Sequence, residues 1–149
     1  MRAIRSARAL MTTNNVHVLA GGRRASQLLV ADRDRGESAI AVRAIHRHSP
    51  HLEVRPVTSL AEAECALAQQ PVSTVFVASG LDDRTHEETI RWFVCNARDT
   101  LVVALLERCD DRQRQEALEA GASYICSKPD LLVAQLRREA AERLADDAT

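Results

Sequence analysis

Glu119-Ala120-Gly121-Ala122-Ser123-Tyr124-Ile125-Cys126-Ser127-Lys128-Pro129 joins a helix end to a short apolar strand and then to a charged turn. Gly121 supplies the left-handed residue that ends a helix without a Cβ penalty. Tyr124 to Cys126 read as the strand, and Lys128-Pro129 stand at its carboxyl end. Lys128 is the only lysine; the other nineteen basic residues are arginine. One compact ammonium in a chain that otherwise uses planar guanidinium groups marks a position where a point charge is wanted.

Outward from this stretch the chain alternates strand and helix. Leu28 to Ala31 form a continuous apolar run, as expected of a strand buried on both faces, and Asp32 to Gly36 are its polar exit. A helix follows from about Ser38, with Ile40, Val42, Ala44 and Ile45 as apolar positions. Leu52 to Val57 alternate in polarity, and Pro56 suits an edge strand. Ser59 and Glu62 are spaced as a capping box for a second helix, and Thr85 and Glu88 as one for a third. Between them Val75 to Ala78 read as a strand; the third helix carries Ile90, Phe93, Val94 and Ala97 on one face. Leu101 to Leu106 are six uninterrupted apolar residues, expected as a central parallel strand. Asp110 caps a weakly anchored fourth helix, and a fifth runs from Asp130 to about Ala145 with Leu132, Leu136, Ala140 and Leu144 inward. Five strand–helix repeats with right-handed crossovers give a doubly wound α/β sheet, flavodoxin-like, of strand order 2-1-3-4-5.

A length of 149 residues suits one domain, and 46% apolar with 28% charged residues is a globular balance. The domain is expected over residues 26–149, with 1–25 a disordered or loosely structured basic arm: Arg2, Arg5, Arg8, Arg23 and Arg24 precede the first acid, Asp32. A net charge of −1 gives no general field for nucleic acid, and no apolar run approaches the ~20 residues that cross a bilayer. Cys65, Cys95, Cys109 and Cys126 form no Cys-x-x-Cys pair and are expected as reduced, mostly buried thiols of a cytoplasmic protein.

The order helix, Gly-Ala, strand, Lys-Pro resembles the end of the receiver domain of bacterial response regulators, and the resemblance extends over about residues 27 to 145. In that family two acids after the first strand bind Mg²⁺, and an aspartate after the third accepts a phosphoryl group. A hydroxyl after the fourth strand and an aromatic in the fifth respond to it. The lysine pairs with the acceptor, next to a Lys-Pro bond that is usually cis. Carried over residue by residue, Asp32 keeps the first acid and Arg33 stands in place of the second, with Asp34 one further on. The acceptor position falls on Val77, followed by Ala78, Ser79 and Gly80; the hydroxyl position is Leu106 and the aromatic position Ile125. Asp82 and Asp83 come too late and read as loop and cap residues. The resemblance therefore implies a degenerate, aspartate-less pseudo-receiver, in which Lys128 pairs with Asp32 or Asp34 beside Arg33.

Such a chain is expected to be no enzyme, to need no cofactor or metal, and to act by contact in two-component-type signalling. The partner is a protein, or a second copy through the fourth helix, fifth strand and fifth helix; that face offers Arg112, Arg114, Gln115, Glu119, Arg137, Arg138 and Arg143. The alternative is a receiver phosphorylated on an unusual acid such as Asp34 or Asp82. A flavin or nucleotide site is disfavoured because the loop after the first strand begins with acids and only Phe76, Trp92, Phe93 and Tyr124 are aromatic. His46, His48 and His51 have a suggestive His-x-His-x-x-His spacing but sit at a helix-to-strand turn, and are read as solvated.

Overall fold

The computed structural model describes residues 5–6, 27–108 and 110–129. Strands β1 (Gln27–Ala31), β2 (Glu53–Val57), β3 (Val72–Val77), β4 (Leu101–Leu106) and β5 (Tyr124–Ser127) alternate with helices α1 (Arg35–His48), α2 (Leu60–Gln69), α3 (His86–Asn96) and α4 (Asp111–Ala120). All pairings are parallel, and the order is β2-β1-β3-β4-β5, with Arg5–Ser6 added as a short strand beside β5. The rest of the expected basic arm, Cys109 and the expected fifth helix lie outside the described residues.

Period-2 alternation divides the core into two layers. Leu29, Ala31, Val75, Val77, Ala104 and Ile125 meet α2, α3 and α4 on one face. Leu28, Val30, Phe76, Val103, Leu105 and Cys126 meet α1 on the other. Central strands are buried on both faces, and fully burying side chains such as Leu28 and Phe76 is worth about 1.5–3 kcal/mol each. At the edge, β2 is half exposed, and Pro56 pairs with Val30 of β1.

Helix ends follow local chemistry. Thr85 and Glu88 complete a reciprocal capping box on α3, Asp110 accepts from Gln113 N–H at the start of α4, and Gly121 closes α4 at φ 109°. On α2 the Ser59 hydroxyl accepts from Glu62 N–H, but the Glu62 carboxylate reaches Thr58. Several expectations need correction. Helix α1 starts at Arg35, because the Asp34 carboxylate takes the N–H groups of Gly36 and Glu37. That phase buries Ser38, Ala41, Ala44 and Ile45 and turns Ile40 outward. Val94 is likewise exposed on α3, and Cys65 and Cys95 are on outward helix faces, leaving Cys126 the buried thiol among the described residues. The described chain has no cis peptide bond, so Lys128–Pro129 is trans, the lower-energy form for an X-Pro bond. No described helix is long and apolar enough to cross a membrane.

Candidate functional site

The carboxyl ends of β1, β3, β4 and β5 open onto one cavity of about 510 Å³. Asp32, the first residue past β1, forms its floor and is 3% exposed. Its backbone N–H donates to Val57 O at 3.1 Å, while Ala78 N–H donates to Ala31 O at 2.8 Å. This ladder places Ala78 beside Asp32 at the tip of β3.

Asp32 Oδ1 is held from two sides. The Ser79 hydroxyl donates to it at 2.9 Å, and Asp34 N–H donates at 2.9 Å. The same hydroxyl accepts Arg33 N–H at 3.0 Å, closing a small ring between the β1 and β3 exits. Asp32 Oδ2 faces Lys128 Nζ at 4.0 Å, beyond hydrogen-bonding range. Lys128 Nζ is nearer Glu107 Oε1, at 3.6 Å, although Glu107 is 80% exposed. That proximity follows from register: Leu106 pairs with Ser127, so the next residues, Glu107 and Lys128, emerge side by side.

Of the expected pocket set, Asp32, Arg33, Asp34, Leu106 and Lys128 line the cavity. Val77 and Ile125 do not; both are core residues on the α2–α4 face. The residues of the β3 exit that line the cavity are Ala78, Ser79 and Gly80, because Val77 is still paired within the sheet, with Ala31 and Ala104. Tyr124 packs on the opposite, α1 side. Lys128 meets Asp32 and Glu107, whereas the Asp34 carboxylate caps α1. Asp82, at φ 56°, turns its carboxylate to Leu60 N–H at 3.2 Å and so belongs to the start of α2.

Sequence reasoning placed Ser79 and Glu107 at the strand ends without giving them a contact, and it passed over His86. Glu107 was legible from the strand register, one place beyond β4 as Lys128 is beyond β5. His86, at the start of α3, donates from Nε2 to Val77 O across 2.7 Å, a tie between elements nine residues apart with no local signature. The β3–α3 turn is tightly closed: a Cβ on Gly80 would overlap the Arg84 carbonyl oxygen. Leu81, fully buried, donates its N–H to the Thr89 hydroxyl oxygen.

The Mg²⁺ of receivers does not fit this donor set. Arg33 puts a guanidinium where a second carboxylate would stand, and among the described residues no group of three or more His, Cys, Asp or Glu is placed to hold a metal. His46 and His51 are exposed, and the His48 side chain lies outside the described set. On the expected interaction face, Arg112 pairs with Glu116 at 3.0 Å and Gln115 with Glu119 at 3.1 Å, both within exposed α4. Such pairs are worth only about 0.3–0.5 kcal/mol and leave the face open to exchange partners. Arg114 is exposed, and Arg137, Arg138 and Arg143 lie outside the described residues.

No protein-family model matches the chain, and no curated protein matches it in sequence. Its fold is nevertheless that of response regulator receiver domains. The receiver domain of a DNA-binding response regulator from Colwellia psychrerythraea is 12% identical, with 78% of this chain and 98% of that one covered at a TM-score of 0.61. A chemotaxis response regulator of Vibrio cholerae is 16% identical over 76% of this chain and 98% of its own, at 0.60. A response regulator from Burkholderia pseudomallei, solved with a phosphorylated aspartic acid, a calcium ion and citrate, is 20% identical over 83% of this chain and 73% of its own, at 0.59.

Proposed function

We propose that this chain is a pseudo-receiver: a protein-interaction module of two-component-type signalling that takes up no phosphoryl group on a carboxylate. The observation that carries the reading is Ala78 beside Asp32 at the tip of β3, followed by a Ser79 hydroxyl that is already bonded to Asp32. A methyl group cannot form an acyl phosphate, and the acids nearest in sequence serve elsewhere: Asp34 caps α1 and Asp82 holds Leu60 N–H. With no reaction to perform, the module acts on a partner by contact, as a non-enzymatic regulator in the cytoplasm. A receiver of similar fold, the yeast protein Ssk1, was solved in complex with the phosphotransfer protein Ypd1, which supports a protein partner. The charged face of α4 and β5 is the surface offered to such a partner or to a second copy.

Incubation with acetyl phosphate and Mg²⁺, followed by intact-mass measurement, tests the reading. The expected result is an unchanged mass. A stable added phosphoryl mass mapped to Asp34 or Asp82 would establish the alternative, a receiver using a non-standard acid.

A further inference from the structure

The two outer strands among β1 to β5 are protected in different ways. Strand β2, Glu53-Val54-Arg55-Pro56-Val57, carries charges and a proline, which discourage a further strand from pairing there. Strand β5, Tyr124-Ile125-Cys126-Ser127, has neither a charge nor a proline. Its Ile125, Cys126 and Ser127 are buried, whereas β2 is half exposed. A strand of this composition at the edge of a sheet is a template for pairing unless something covers it.

The cover is a segment of the chain itself. Arg5 is in register with Tyr124 and Ser6 with Ile125, and the two segments run parallel. This strand is 2 residues long, against 4 in β5. A ladder that short closes few main-chain hydrogen bonds, each of which adds little net stability in water, and parallel pairing is the weaker kind. Arg5–Ser6 is also remote from β1 in the sheet, with β5, β4 and β3 between them. The pairing is therefore a tethered contact of low strength on a strand that has no other protection against pairing.

We infer that the outer edge of β5 is a strand-acceptor site, shut in this structure by Arg5–Ser6 and opened when a partner puts a segment of its own in their place. The partner that fits is a protein presenting an extended, proline-free segment, because main-chain donors and acceptors make the ladder. Its direction is set by the register already seen: it runs parallel to β5. The inference rests on the interaction-module reading and states how a partner reaches β5, by competing with the chain's own segment for the same main-chain groups. A tethered segment acts at an effective concentration of the order of mM, so the cap excludes weak binders and yields to strong ones.

The test compares the full-length protein with its Arg5→Pro/Ser6→Pro variant, whose cap has no N–H to donate at either position. Amide hydrogen exchange over Tyr124–Ser127 is expected to be about tenfold faster in the variant, with exchange in β3 and the Trp92 fluorescence melt unchanged. A synthetic peptide of residues 1–10 is then titrated into both proteins. It should bind the variant saturably and slow exchange at β5, and bind wild type about tenfold more weakly because the tethered segment competes. The same peptide with prolines at positions 5 and 6 should not bind. Equal exchange of the two proteins at β5, no peptide binding to the variant, or binding indifferent to the prolines would each overturn the proposal. Protection of β5 in wild type that arises only as the protein dimerises, followed by sedimentation, would assign the cover to a second copy and overturn the in-chain cap. Each of these failures leaves the interaction-module reading standing, since that reading falls to an added phosphoryl mass.

Discussion

The Ser79 hydroxyl lies 2.9 Å from Asp32 Oδ1, joining residues 47 apart in the chain. The same oxygen atom of Ser79 takes Arg33 N–H at 3.0 Å, so one hydroxyl fixes both exit loops of the central strands. The acidic floor of the cavity is thereby held by a neutral side chain of the protein itself.

Ser79→Ala removes a hydrogen bond to a charged acceptor and leaves Arg33 N–H to water. Loss of about 1–2 kcal/mol is expected in denaturant unfolding followed through Trp92. An unchanged midpoint would mean that the ring contributes nothing to holding the two loops.

The contact between Lys128 and Asp32 is a looser one. At 4.0 Å, with Lys128 22% exposed, a cycle of Lys128→Met and Asp32→Asn is expected to give a coupling near the low end of contacting pairs, about 0.5–1 kcal/mol. Strictly additive effects would show that the lysine answers to Glu107 alone.

Gly80→Ala and Gly121→Ala should differ in size. A methyl on Gly80 meets backbone, the Arg84 carbonyl, which cannot yield without moving the β3–α3 turn. A methyl on Gly121 meets the Val94 side chain at 3.1 Å and must accept φ 109°. Gly121→Ala is expected to cost about 1–2 kcal/mol, and Gly80→Ala more than that. Thermal unfolding of the two variants ranks them, and the reverse order would contradict the geometry.

Glu62 introduces a pH dependence. The Thr58 backbone N–H foremost, then the Thr58 hydroxyl and the Arg35 and Arg55 charges, outweigh partial burial and lower its carboxyl below the usual 4.5. A depressed folded value means that its stabilisation is complete above the unfolded value and disappears as pH falls through the folded one. Wild type should therefore lose more stability than Glu62→Gln on acidification below pH 4.5, measured by urea unfolding across that range. Parallel curves would show that the Thr58 contacts do not favour the charged form.

Sequence alone determined what is local. The alternation of five strands with helices, the caps at Ser59, Thr85 and Asp110, the stop at Gly121 and the edge character around Pro56 each depend on neighbours within a few residues. So does the lack of an acid from Val77 to Gly80, since no register can place there a carboxylate that the chain does not contain. Tertiary structure decided which residue faces the cavity. A strand with period 2 turns successive side chains to opposite faces, and the ladder that pairs Val77 with Ala31 leaves Ala78, Ser79 and Gly80, not Val77, at the cavity. It also decided that Ser79 meets Asp32, that Asp82 leaves the site for Leu60 and that Glu107 stands beside Lys128. Those contacts join segments remote in sequence, and their energies exist only once the sheet has brought the strand ends together.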